Sequence, residues 1–559
     1  MFLKRYESYL FFGLLIFVCI GLYFYPIYYS PILNFDDTNI ILPLKNVTSL
    51  NAYWQMLNEN VVMDLQPIRD LSYLVEFFVY HQINFINHQL INVLLWIISL
   101  GIVRKYFFNE QVSSQNSWMW IFYIATHPVA VNSIAWSSGR KHVLSFFFIA
   151  LSTKFLFDLY KNPSFKNSFA IIIFYLLSIY SNPINVAWFV FATYILLNND
   201  QKNKSTKLFI TLLSIIGIFS AFINFTYYTS ELYSTNSFGD KVVEIGDGVF
   251  TTRLLILGRY FFQLIFPISP SITSYDLNSP LAKIGIVFLL GASFVIFKLK
   301  LLRKENFLWA LFFILPLIVV NGPSNHHPGW DIYLLTPLIG WSLFWAFCLN
   351  RFLEKRIIQS IFYTIIILNS FQSFSSAKVW SSEERLWKAA IKSENSSYAL
   401  AYTARYIVNK KEDFNQAWSL ISSLSKRSPN HPELGYLLGY YIYHHPIFSS
   451  NEKLEMFKKF YKKSPWFIYY FSAFHASQGS FALADDLLNE LFIKSDENKI
   501  SSILKYFNSE AEAITANWYS MCLMAKRNNC TDHIAFMKKH FSKSRFDEKK
   551  FQNILHRFH

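Results

Sequence analysis

Residues 9–30 read Tyr9-Leu10-Phe11-Phe12-Gly13-Leu14-Leu15-Ile16-Phe17-Val18-Cys19-Ile20-Gly21-Leu22-Tyr23-Phe24-Tyr25-Pro26-Ile27-Tyr28-Tyr29-Ser30, a run without a charge. At 1.5 Å per residue, a helix of about 20 apolar residues crosses the roughly 30 Å hydrocarbon core of a bilayer. Lys4 and Arg5 precede the run and no small-residue cleavage site follows it. It is therefore expected to stay as a first span instead of leaving as a signal peptide. Comparable stretches recur near 86–103, 117–134, 143–160, 167–181, 184–198, 208–228, 281–298, 306–321, 331–349 and 357–374. The chain of 559 residues is 53% hydrophobic and holds 58 Phe, which a soluble protein rarely carries in such runs. The pattern predicts an all-α polytopic membrane protein with about eleven transmembrane helices.

Lys and Arg set the orientation, because basic residues stay cytoplasmic. Threading the spans alternately leaves Lys45, Arg69, Arg140, Lys141, Lys241, Arg253 and Arg259 on one side and the much larger basic set on the other. The N terminus is thus expected in the cytoplasm and the C-terminal tail outside it. Two shorter segments, Leu71 to Phe85 and Leu254 to Ile268, are interrupted by Glu76 and His81 and by Arg259 and Gln263. They read as helices lying in, or dipping into, the outer interface. The formal charge of +15 belongs to the inner loops and a basic tail, so no nucleic-acid partner is inferred. Cys19 and Cys348 fall in spans; Cys522 and Cys530 fall outside the membrane, where a disulfide is permitted but not demanded.

The chain becomes polar after about residue 375, dividing a transmembrane domain, 1–375, from a helical domain, 376–559. Ser393, Ser428-Pro429 and Ser464-Pro465 recur at spacings of 35 and 36 residues, each ahead of an aromatic-rich helical pattern. Ala417, and Ala482 with Ala484 after Gly479, read as small residues packed inward on second helices. A period near 34 with a turn between paired helices is the tetratricopeptide pattern, partly matched by Leu437-Leu438-Gly439-Tyr440. The alternative is a plain helical cap with accidental spacing.

Chemistry-bearing residues gather near the outer side. Asp36-Asp37 follows the first span, where such a pair either caps a turn or offers a carboxylate base. Arg69 follows Gln66-Pro67, and Asn87-His88 with Asn92 opens the second span, as packing hydrogen bonds or as a cavity wall. His127-Pro128 breaks a helix ahead of Ile134-Ala135-Trp136 and Gly139-Arg140-Lys141-His142. Arg140 opens a span against the charge rule, so it reads as a site residue or as a side chain snorkelling to lipid phosphate. Arg259 sits among apolar neighbours, and Asp331 and Tyr333 follow Asn325-His326-His327. Adjacent His residues seldom share one ion, and Asp36-Asp37 lacks the intervening residue of a metal-binding Asp-x-Asp, so no metal or other cofactor is expected.

These segments, in this order, resemble the polytopic glycosyltransferases of the GT-C superfamily, and most of all the transmembrane-and-tetratricopeptide-repeat O-mannosyltransferases and their bacterial relatives. The resemblance covers nearly the whole chain and is most specific from Ile134 to Lys141. Trp380 with Leu386-Trp387 resembles that family's junction between the last span and the repeats. It implies an inverting transferase that moves a hexose such as mannose from a polyprenyl-phosphate donor to Ser or Thr hydroxyls of an exported protein, gripped by extracytoplasmic repeats. By the same resemblance Asp36 is the base, with Asp37 orienting the acceptor or sugar. Arg140, Arg259, Arg69 and Lys141 bind the leaving phosphate; His127, Trp136, His88, Asp331 and Tyr333 line the pocket. The chain departs from the family at Gln66-Pro67, Asn182-Pro183 and Asp331-Ile332, where relatives carry Arg-Pro, Lys-Glu and Glu-Arg. Three other functions compete: transfer to a glycolipid or cell-wall polymer, a non-catalytic scaffold, and transport. The last is disfavoured because charges collect near outer loops instead of midway through spans.

Overall fold

The computed structural model of the chain describes residues 2–33, 37–45, 47, 49–58, 66–80, 87–108, 113–197, 204–229, 249–267, 280–298, 316–317, 331–349, 353, 355–393, 397–410, 413–429, 431–460, 464–492, 511–527, 530 and 533–534. The fold is all-α: among the described residues every regular element is helical and none is a strand. Two compact units are present, whose main parts end at Asn395 and begin at Ser396.

In the first unit we number α1 (Phe2–Leu22), α2 (Asp37–Leu44), α3 (Pro67–Tyr80), α4 (His88–Val103), α5 (Ser114–Thr126), α6 (Val131–Ala135), α7 (Arg140–Lys161) and α8 (Phe165–Ser181). They are followed by α9 (Trp188–Leu197), α10 (Lys204–Thr229), α11 (Val249–Ile265), α12 (Pro280–Lys298), α13 (Leu335–Leu349), α14 (Arg356–Val379) and α15 (Glu383–Ser393). Among the described residues, three helical stretches are long and apolar enough to cross a membrane: His88–Phe108, Ser137–Lys161 and Arg356–Val379. Of the predicted stretch 306–321, only residues 316 and 317 are described.

The stretch 117–134 is not one helix. α5 stops at Thr126, His127 is extended (ψ 124°), and a 3-10 turn over Pro128–Ala130 leads into α6. Proline lacks the N–H that would continue the ladder and pushes the residue before it out of the helical region.

α3 turns its polar face inward. Arg69, Asp70, Tyr73 and Glu76 are buried at three- and four-residue spacing, while Val75, Phe78 and Val79 are exposed. This reverses the arrangement of a helix on a water-soluble core, and suits one whose outer face meets lipid.

α11 and α12 approach backbone to backbone at Gly258 and Gly285. A Cβ built on Gly285 would overlap the Gly258 carbonyl, and one on Gly258 would overlap that of Ala282. Small residues permit such close crossings where lipid offers no hydrophobic drive between helices.

α14 is tied to the rest by Ser373 Oγ, which donates to the Thr126 carbonyl at 2.7 Å. Just beyond it, Trp380 stacks on Trp136 with centroids 5.6 Å apart, and its Nε1 donates to Asn132 Oδ1 at 3.1 Å. Trp387 is buried too, so α15 belongs to the first unit although the composition already turns polar near residue 376.

The second unit contains α16 (Ser397–Lys410), α17 (Phe414–Arg427), α18 (Pro432–His444), α19 (Ser450–Lys459), α20 (Pro465–Ser477), α21 (Phe481–Phe492) and α22 (Ala511–Met524). The aromatic-rich patterns fall on α16, α18 and α20, and Ala417 and Ala484 are buried on α17 and α21. Ala482, read as inward-packed, is exposed, because the two residues of helix between it and Ala484 turn it about 200° away from that face. The repeated serines are not equivalent either. Ser464 caps α20 directly, whereas Ser428 ends α17 and α18 is capped by His431. Gly435 and Gly439 let α18 meet Ser464 and Tyr470 closely. Cys522 and Cys530 form a disulfide.

Two outcomes are expected. Gly285→Ala forces the α11–α12 crossing apart and destabilises the detergent-solubilised chain by about 1–3 kcal/mol. Gly291→Ala, with nothing within 4 Å of the added Cβ, leaves the melting temperature unchanged. Separately, burial lowers the pKa of His431 to about 4, and its neutral Nδ1 accepts from the Glu433 N–H at 3.3 Å. A depressed histidine pKa contributes stability that is complete above the unfolded value near 6.5 and is lost as pH falls toward 4. His431→Asn keeps a cap that does not titrate, so it should remove about 2–3 kcal/mol of the stability lost between pH 7 and pH 4. Thermal unfolding of both chains across that range reads the difference.

Candidate functional site

Asp37 begins α2, and its carboxylate faces inward instead of toward solvent. Oδ2 accepts from the Leu33 N–H at 3.0 Å, and Oδ1 from the Ser138 N–H at 3.0 Å and from the Ser138 hydroxyl. The loop after the first span is thereby joined to the turn that starts α7. Asp36 lies outside the described residues.

Two residues past Ser138, α7 opens with Arg140, fully buried. Its Nε donates to Asn92 Oδ1 and its Nη2 to the His88 carbonyl, both at 2.9 Å, and Nη1 forms an ion pair with Glu76 Oε1. The guanidinium also lies over the Tyr73 ring, 4.4 Å from its centroid. His88 Nδ1 donates to the other Glu76 oxygen at 2.7 Å, since a carboxylate only accepts. The Tyr73 hydroxyl donates to the Ser137 carbonyl at 2.7 Å, closing the ring of contacts back on the α7 turn. Buried charges persist only when paired and hydrogen-bonded, and each atom type here has a stated partner.

Arg69 and Asp70 form a second buried pair at 2.7 Å on the same helix, α3. Gln66 Oε1 accepts from Arg69 Nη1 at 3.1 Å, and the Tyr53 hydroxyl donates to Asp70 Oδ2 at 3.2 Å.

The remaining predicted residues are placed as follows. His127 is buried at the α5 break, its Nδ1 accepting from the Val129 N–H at 3.4 Å. Trp136 is buried against Trp380. Lys141 is half-buried, with Nζ 5.9 Å from the Trp136 ring. Arg259 is buried on α11. Asp331 and Tyr333 share the short 3-10 helix Asp331–Leu334, where Asp331 is buried and Tyr333 packs edge-on to His142. Asn325, His326 and His327 lie outside the described residues.

The geometry therefore brings together Asp37, Arg140 and His88, and adds three residues that sequence reading did not select: Glu76, Tyr73 and Ser138. Glu76 was legible as a carboxylate inside an apolar stretch, which by itself calls for a buried cation. Tyr73 and Ser138 carried no such signal.

Among the described residues, one group of side chains that could ligate a metal lies in the second unit. Asp485, Cys522 and His533 present ligand atoms within 4.8 Å of one another. Cys522 is held in its disulfide and Asp485 is paired with Arg527 at 3.1 Å, so that carboxylate already has a counter-charge.

Removing one member of the Glu76–Arg140 pair strands a buried charge. Glu76→Gln and Arg140→Met are each expected to cost about 3–5 kcal/mol, and the double variant much less than their sum. Thermal unfolding of the four chains in detergent gives the coupling directly.

Compared with known proteins, the chain matches no family model, no curated protein and no solved structure.

Proposed function

We propose that the chain is a multi-pass membrane glycosyltransferase. It takes a hexose from a polyprenyl-phosphate donor, outside the cytoplasm, and passes it to Ser or Thr hydroxyls of an exported protein held by the helical repeats. The eleven-span topology with a cytoplasmic N terminus belongs to this reading. The observation that carries it is the junction of Asp37 with Ser138, two residues before Arg140. A carboxylate-bearing loop and a cation-bearing helix start, about a hundred residues apart in sequence, meet at one buried point.

In this reading Asp36, the residue before Asp37, is the general base on the acceptor hydroxyl, worth about 10²–10⁴-fold in rate. Asp37 holds that loop against α7. Displacement at the anomeric carbon inverts it, and the lipid phosphate leaves without needing a proton. Arg140 acts chiefly by ordering α3, α4 and α7, since its three nitrogens already have protein acceptors. The reading also assigns Arg259, Arg69 and Lys141 to the leaving phosphate, where cations stabilise the growing charge.

A second reading draws on the same observation. If Asp37 and Arg140 are satisfied only for folding, the first unit is an anchor and the repeats recruit partners. The two readings part at Asp36→Asn, which removes the proposed base while keeping the size of the side chain. Intact masses of exported proteins are to be compared between wild type, a deletion strain and Asp36→Asn. The transferase reading predicts loss of one hexose mass from a common set of proteins in both altered strains. An unchanged Asp36→Asn profile beside an altered deletion profile favours the anchor, and loss confined to glycolipids redirects the acceptor.

A further inference from the structure

His142 stands on the first turn of α7, two residues after Arg140, and is only 3% exposed. The proton on its ring can be located from its neighbours. Asn182 Oδ1 accepts from the Ile184 N–H at 3.0 Å, capping the 3-10 turn Pro183–Asn185. That bond orients the Asn182 amide, so its Nδ2 faces His142 Nδ1 at 3.4 Å. An amide NH₂ donates and cannot accept. Nδ1 is therefore the acceptor, and the neutral imidazole carries its hydrogen on Nε2.

Nε2 is out of reach of solvent and has no hydrogen-bond partner among the described residues. The polar groups nearby are committed to one another. Ser145 Oγ donates to the Asn182 carbonyl at 3.0 Å, Ser178 Oγ donates to the Ser145 carbonyl at 2.7 Å, and Asn185 Nδ2 donates to Ser145 Oγ at 3.0 Å. The ring is steadied on another side by Tyr333, with centroids 5.7 Å apart and planes at 70°. The backbone just before Tyr333 is fixed by Ser133 Oγ, which donates to the Ile332 carbonyl at 3.0 Å. A rigidly oriented, buried donor is costly to leave without an acceptor, and sites that bind polar ligands contain such groups. α7 also begins without a side-chain cap from Gly139, so the positive end of its dipole lies on the same turn.

We propose that His142 is a substrate-binding residue whose Nε2–H meets an acceptor oxygen on the sugar-phosphate head of the lipid donor, with Asn182 fixing the tautomer and Tyr333 the ring plane. The proposal rests on the transferase reading, which supplies the chemical class of the ligand.

The test measures binding, not turnover. Full-length protein in nanodiscs is titrated with a short-chain polyprenyl phosphate, with and without a linked hexose, and bound lipid is counted by native mass spectrometry. His142→Phe keeps a flat ring and removes the donor; affinity should fall about tenfold, the equivalent of one hydrogen bond. His142→Gln restores a donor and should recover most of the loss. A loss with both probes assigns the acceptor to phosphate, and a loss with the hexose-linked probe alone assigns it to a sugar hydroxyl; either supports the proposal. If His142→Phe binds both probes like wild type and melts higher, the buried donor is merely unsatisfied and the proposal falls while the transferase reading stands. If the wild-type chain binds neither probe, both fall together.

Discussion

A guanidinium cannot be left alone in an apolar interior, and the first unit is arranged around that constraint at Arg140. Its counter-charge comes from Glu76 on α3, and its other acceptors from Asn92 and the His88 carbonyl on α4. Satisfying one cation thus binds the start of α7 to two other helices. Tyr73 and His88 complete the enclosure, one beneath the guanidinium and one on the carboxylate. The neighbouring pair of Asp37 with Ser138 then draws the loop after the first span onto the same turn. Low dielectric makes each of these contacts strong and makes the loss of any single partner expensive.

This arrangement explains the inside-out character of α3. Its charged residues lie at helical spacing and face the interior, while Val75, Phe78 and Val79 face outward. The same logic governs α7 and α8, where Ser145, Ser152 and Ser178 make the interhelical contacts and Phe165 and Phe169 are exposed. Where the surroundings are apolar, polar side chains are what distinguish one helix face from another.

The second unit follows the opposite rule. Its cores are built from Leu, Ala and aromatic side chains, such as Leu437, Leu438, Ala417 and Phe457, and a charge it does bury, Asp485 on α21, is paired with Arg527. Ser449 and Glu452, both exposed, form a capping box at the start of α19. Gly435 and Gly439 let the unit's neighbouring helices α18 and α20 pack closely.

Much of this was legible in the chain itself. The all-α class, the three long apolar helices, the helix break at His127-Pro128, the start of α7 at Arg140 and the paired helices of the tail all follow from local rules: hydrophobic length, proline's missing donor and helical period. The limits of those rules are visible at particular residues. Period alone gave Ala482 the wrong face, and composition could not foresee that Trp380, where the chain already turns polar, would pack on Trp136. Which acceptors Arg140 would take, that Asp37 would close on Ser138, and that Asn182 would set the proton of His142 were decided only in three dimensions. A side chain's charge is written in the sequence, but its partner is whichever group the packing of distant helices brings within 3 Å or so, and no local pattern encodes that meeting.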